Sequence, residues 1–124
     1  MDHKALVAEA ASYLETLQGI RRDLHQIPEF ALELPKTQER ILGSIKGIGE
    51  ITLGKDLNSI ALLIKGAHPG PTVLLRADMD ALAVQEDTSE DFKSTNGYMH
   101  ACGHDLHMAM GIGAAHLIAT HKDK

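Results

Sequence analysis

Thr72-Val73-Leu74-Leu75-Arg76-Ala77-Asp78-Met79-Asp80 is the stretch that decides the fold class. Its first half is short, apolar and β-branched, the composition of a buried strand, and its second half turns abruptly to charge. Carboxylates placed immediately after a buried strand sit where α/β proteins put their ligand sites, at the carboxyl edge of a sheet. Asp78 and Asp80 are therefore candidate site residues. The alternatives are a strand-end turn for Asp78, or a local ion pair between Arg76 and Asp78.

Upstream, Ile48 to Leu53 and Ser59 to Lys65 have the same strand character and are bounded by Gly54-Lys55-Asp56 and by Gly66-Ala67-His68-Pro69-Gly70. With Thr72 to Ala77 they make three predicted strands, of which Thr72-Val73-Leu74-Leu75 reads as the most buried. Connections this short leave no room for crossover helices, so neighbouring strands are expected to run antiparallel.

Helical periodicity flanks this region on both sides. Leu6, Val7, Ala10, Tyr13, Leu14, Leu17, Ile20 and Leu24 recur at intervals of three and four, which predicts one amphipathic helix from Asp2 to about Gln26, capped by Asp2 and stopped before Pro28. Arg21 and His25 read as a helix end. A turn from Pro28 to Leu34 leads to Pro35, a good first helical residue, and a second helix buries Ile41, Leu42 and Ile45 until Gly47 and Gly49 release the chain. After Gly103, Leu106, Met110, Ile112, Leu117 and Ile118, interleaved with small residues, predict a closely packed third helix to about Thr120. The fold class is α/β, with a helix-flanked, mixed and partly antiparallel sheet.

Metal-capable side chains crowd into Met99-His100-Ala101-Cys102-Gly103-His104-Asp105-Leu106-His107. A thiol and an imidazole one glycine apart form a borderline-soft donor pair, suited to zinc, manganese, cobalt or nickel rather than calcium or magnesium. Taken alone, Cys102 reads as a buried core thiol before a ligand, His104 beside it brings the two readings level, and Cys-X-His is not a complete zinc signature. His100 reads as a loop histidine, His107 as a helix-surface or packing histidine, and Glu86 and Glu90 as a solvated loop face between Gln85 and Tyr98.

Composition excludes several classes of function. The chain of 124 residues is one domain by length and carries 12 basic against 17 acidic side chains, with no basic run beyond Arg21-Arg22, so a nucleic-acid surface is not expected. No stretch is apolar for the length of a membrane span, and the N-terminus lacks the layout of a secretory signal. One cysteine and no tryptophan imply an aliphatic core without disulfides. Cytoplasmic residence is the expectation.

Three segments, in order, carry a resemblance: Arg21-Arg22-Asp23-Leu24-His25-Gln26-Ile27-Pro28-Glu29, Leu74-Leu75-Arg76-Ala77-Asp78-Met79-Asp80-Ala81-Leu82, and Met99 to His107. Together they resemble the amino-terminal part of the M20 metallopeptidase family, and within it the aminoacylase/amidohydrolase branch of hippurate hydrolases, N-acyl-amino-acid amidohydrolases and N-acetyl-diaminopimelate deacetylases. Ala83 stands where the family usually has proline. The resemblance implies the amino-terminal portion of a zinc-exopeptidase-like catalytic domain, holding divalent metal ions, zinc or manganese first and cobalt or nickel next. It implies Cys102 and His104 as metal ligands and Asp78 as the catalytic-site aspartate that orients the metal centre. The reaction implied is hydrolysis of an N-acyl amino acid or peptide-like amide by metal-activated water.

Family members continue with a Glu-Glu segment that supplies the general base and a ligand, further histidines and a lid or dimerisation domain. None of these is found in residues 1–124, so the expectation is a partial catalytic domain that is inactive alone and that works, if at all, as a homo-oligomer or with a complementing chain. Two other readings stand beside it: a non-catalytic remnant or interaction module with an unpaired sheet edge, and a small thiol-based metal-binding or redox protein built on Cys102.

Overall fold

The computed structural model describes residues 2–124. It contains helices α1 (His3–Ser12), α2 (Leu14–Gln26), α3 (Pro35–Ile45) and α4 (His104–Thr120), with strands β1 (Glu50–Leu53) and β2 (Ile60–Leu63) between α3 and α4. None of the helices in the described residues is long and apolar enough to cross a membrane.

The first predicted helix is divided at Tyr13. Asp2 does cap it, accepting from the Lys4 N–H at 2.9 Å. Ten residues on, Ser12 Oγ donates to the Glu9 carbonyl at 2.6 Å, the acceptor that the Tyr13 N–H would otherwise use. The Tyr13 N–H turns to Ala10 O at 3.1 Å instead, and the helix bends. Burial follows the bend: α1 buries no residue, whereas α2 buries Ile20, Leu24 and His25.

Helix α3 begins at Pro35, whose missing N–H costs nothing there. Its free N–H groups are satisfied from a distance. The Glu29 carboxylate accepts from Lys36 N at 3.2 Å and from Thr37 N at 2.8 Å, placing negative charge at the positive end of the helix. The core is formed where α2, α3 and α4 meet, from Ile20, Leu24, Ile41, Ile45, Met108 and Ile112. Close approach of α4 to α2 depends on Gly113, where a Cβ would lie 2.8 Å from Leu17 Cδ1.

Strands β1 and β2 pair antiparallel, Glu50 with Leu63 and Leu53 with Ile60, as the short connection requires. Both are shorter than predicted: the ladder starts beside the turn closed by Gly54 N to Ser59 O (3.1 Å) and ends at the Glu50–Leu63 pair, leaving Ile48, Gly49, Ile64 and Lys65 outside it. Mixed character enters through isolated bridges, parallel between Phe30 and Ala81 and antiparallel between Leu82 and Met99.

The third predicted strand is corrected. Residues 72–77 join no ladder among the described residues, and Val73, Leu74 and Leu75 are 79, 87 and 64% exposed rather than the most buried of the set. The physical reason is the hydrogen-bond requirement: an apolar run becomes a strand only beside a partner, and β1 and β2 satisfy only each other.

Candidate metal centre

His104 is the first residue of α4, and the turn before it depends on Gly103, which has φ +95° and ψ +21°. A side chain is strained in that left-handed conformation, so glycine releases the chain into the helix at this angle. His104 Nδ1 lies 2.8 Å from the Asp80 carbonyl and 3.2 Å from Asp80 Oδ1. Both are acceptors, so Nδ1 carries the proton and the Nε2 lone pair is left free. That nitrogen faces Asp78, with Oδ2 at 3.9 Å.

His107 follows one helical turn later and stacks on His104, ring centroids 5.7 Å apart. One ligand atom each from Asp78, His104 and His107 lies within 4.8 Å of the others. Two imidazoles and a carboxylate suit a zinc- or manganese-class ion, and an Asp80-fixed tautomer is the arrangement that metal-binding histidines use. On that chemistry the residues fit a divalent cation. Arg76 pairs with Asp78 Oδ1, as the local ion pair anticipated, which leaves Oδ2 for the site.

Cys102 stands in the turn two residues before His104. It is exposed, not a core thiol, and lies outside the group of three, since the buried face of α4 begins only at Asp105. The structure thus brings together Asp78, Asp80 and His104 of the sequence-predicted residues, and adds His107. The three-residue spacing of His104 and His107 was the available signal for it. His107 is exposed, as expected of a surface histidine, and that exposure masked its place beside His104.

Behind the site lies a buried ionic group that the sequence reading missed. His25, read as a helix end, is 3% exposed, and Glu86, read as a solvated loop residue, is 4% exposed. His25 Nδ1 lies 2.7 Å from Asp105 Oδ2, and Nε2 lies 3.1 Å from both oxygens of Glu86. Arg21 Nε meets the same Asp105 oxygen at 2.6 Å, as an ion pair whose N–H is not aligned for a hydrogen bond. Glu86 also accepts from Thr88 Oγ1 at 2.7 Å and from the Ser94 N–H at 2.6 Å. Burial pushes the Glu86 carboxyl up, but these donors and the His25 charge outweigh it and hold it down at about 2.

His100, read as a loop histidine, is buried beside this group, its ring centroid 6.4 Å from that of His25, with no partner for either nitrogen. Burial lowers its basicity, opposed by the Asp105 carboxylate and reinforced by His25 and His104.

Known proteins share the fold that carries this group. The model for peptidase family M20/M25/M40 matches residues 74–124. Thermostable carboxypeptidase 1 of Saccharolobus solfataricus is 44% identical over 107 residues, 84% of this chain and 27% of the relative. An N-acetyldiaminopimelate deacetylase of Leuconostoc citreum is 43% identical over 116 residues, 89% of this chain and 30% of its own length. Among solved structures, a dinuclear metal-binding peptidase of the M20 family from Bacillus subtilis superposes with a TM-score of 0.85 at 36% identity, over 90% of this chain and 32% of that one. An inferred aminohydrolase from methicillin-resistant Staphylococcus aureus gives a TM-score of 0.88 at 35% identity, over 98% of this chain and 32% of that one. The chain therefore spans about a third of the length of the relatives it matches, or less. From the matched motifs, the superposed fold and the clustered donors, the chain belongs to peptidase family M20.

Proposed function

We propose that this chain contributes one side of the metal centre of an amidohydrolase that cleaves an N-acyl amino acid or a peptide-like amide. The observation that carries this reading is the convergence of Asp78, His104 and His107 ligand atoms within 4.8 Å at the start of α4. The carboxypeptidase and deacetylase relatives support the bond type. Zinc or manganese is the proposed ion, with cobalt or nickel as alternatives. When bound, such an ion would polarise the amide carbonyl and ease loss of a proton from the water that attacks it.

The chain's own part is to hold the donors. Asp80 fixes the His104 tautomer, and Asp78 closes the group from the irregular segment that follows the Val73–Leu75 run. Cys102, two residues ahead of His104, is a further donor in this proposal. A general base is the missing component among the described residues near the site: Asp78 is engaged by Arg76, Asp80 by His104, and Glu86 by its buried partners. Residues 1–124 by themselves are accordingly proposed to bind metal weakly and to turn over no amide, the base coming from outside the described residues. No nucleic acid or membrane enters this proposal, and cytoplasmic residence is part of it.

Cobalt(II) titration followed by visible absorption tests the reading. Tetrahedral bands and a thiolate charge-transfer band are expected. His104→Ala should abolish both, and Cys102→Ser only the second. Spectra unchanged by His104→Ala, or turnover of an N-acetyl amino acid by the purified chain that is lost on chelation, would overturn the corresponding part. A second reading, an interaction module, is favoured by the exposed Val73–Leu75 run.

A further inference from the structure

The buried quartet of Arg21, His25, Glu86 and Asp105 joins three segments that are distant in sequence, and one of its members adjoins the metal site. Asp105 is fully buried at the second position of α4, between His104 and His107. Carboxylates only accept hydrogen bonds, so a ring with a carboxylate at each nitrogen donates from both and is an imidazolium. Two cations then face two anions and the quartet sums to zero charge, which makes its burial tolerable.

The connections have a direction. Arg21 and His25 lie on α2, which packs into the core through Ile20 and Leu24 and is therefore a fixed support. Glu86 belongs to the segment of residues 86–94, tied by Thr88 Oγ1 and the Ser94 N–H. The first turn of α4 carries the two histidine donors but has no side-chain cap of its own, because Gly103 occupies the cap position. Asp105 supplies the missing anchor from within the turn.

We propose that the His25 imidazolium is a positioning residue: through Asp105 it fixes the first turn of α4, and with it His104 and His107, while through Glu86 it fastens the 86–94 segment to the same support. This rests on the metal-site reading above, and it concerns a residue that touches neither ion nor substrate.

The two arms can be cut separately. The amide nitrogen of asparagine falls near Nδ1 of histidine, whereas that of glutamine falls near Nε2. His25→Asn keeps the arm to Asp105 and drops the arm to Glu86; His25→Gln does the reverse. Cobalt(II) affinity by titration and amide hydrogen exchange without metal are measured on the folded 124-residue chain. His25→Gln is expected to weaken cobalt binding about tenfold, the lower end of what losing an outer partner of a metal ligand costs. It should also speed exchange at His107, whose N–H bonds Gly103 O at 3.1 Å, and leave the Ser94 amide protected. His25→Asn should keep cobalt binding and His107 protection near the parent's and expose Ser94.

Equal losses in both variants would reduce His25 to a residue of general stability and overturn the proposal. Should the parent bind no cobalt, the metal reading falls, and the His107 against Ser94 exchange pattern alone decides the positioning role. If both variants unfold, Asp105→Asn takes their place: faster His107 exchange supports the anchor, and unchanged exchange overturns it.

Discussion

Replacing Glu86 by glutamine removes one negative charge from the quartet with almost no change of shape, and its effect should depend on pH. In the fold the carboxyl is held at about 2 against an ordinary 4.5. A shift of that size favours the ionised native form by about 3 kcal/mol at neutral pH. Arg21 leaves the quartet with an open side, being 26% exposed, and solvent screening there brings the realistic contribution to about 1 to 2 kcal/mol. The sign follows from the direction of the shift. A carboxyl whose folded value lies below its unfolded one contributes fully above about pH 4.5, and the contribution fades as pH falls towards 2. Urea unfolding followed by circular dichroism, at pH 6 and pH 3, gives four stabilities for the parent and Glu86→Gln. The parent should lose about 1 kcal/mol more than the variant between the two pH values, whatever the other carboxylates contribute to both. Identical pH dependence in the two proteins would refute the account of Glu86, and a gain in stability on acidification would refute its sign.

Two further outcomes concern other parts of the fold. Gly103→Ala forces a side chain into a backbone with φ +95° and should lower stability by about 1 to 2 kcal/mol while weakening cobalt binding, because the strain is relieved by moving His104; unchanged cobalt affinity would contradict the hinge role. Leu74→Lys, at a position 87% exposed, should leave the urea midpoint where it is and reduce self-association in size-exclusion chromatography, since it costs no buried contact and breaks an apolar patch. A drop in the urea midpoint would mean that the side chain is covered.

Local signals were legible in the sequence, and signals that depend on a distant partner were not. The cap at Asp2, the proline start of α3 and the glycine entry to α4 are decided within a few residues and were found where the spacing put them. The break at Tyr13 is also local, but it depends on a serine hydroxyl choosing a backbone acceptor over water, which periodicity does not encode. Thr72 to Ala77 has strand composition and no ladder, because composition cannot announce a partner. Glu86 shows the limit most clearly: its neighbours Gln85, Asp87 and Glu90 are those of a solvated loop, and its burial comes from His25, 61 residues earlier in the chain. His104 stood out because it follows a glycine at the start of a helix, and Asp78 and Asp80 because they follow an apolar run of strand composition, although that run forms no strand.

The exposed run at Val73, Leu74 and Leu75 leads into Asp78 through a few residues of unpaired backbone. Order imposed on one end of so short a tether is felt at the other. Any surface that packs on the apolar side chains narrows the positions open to the Asp78 carboxylate, and so changes cation affinity by some factor. Thermodynamic reciprocity then requires the cation to change the affinity for that surface by the same factor. A metal titration of this chain is thus also a measurement of how firmly an apolar run that touches no metal is held.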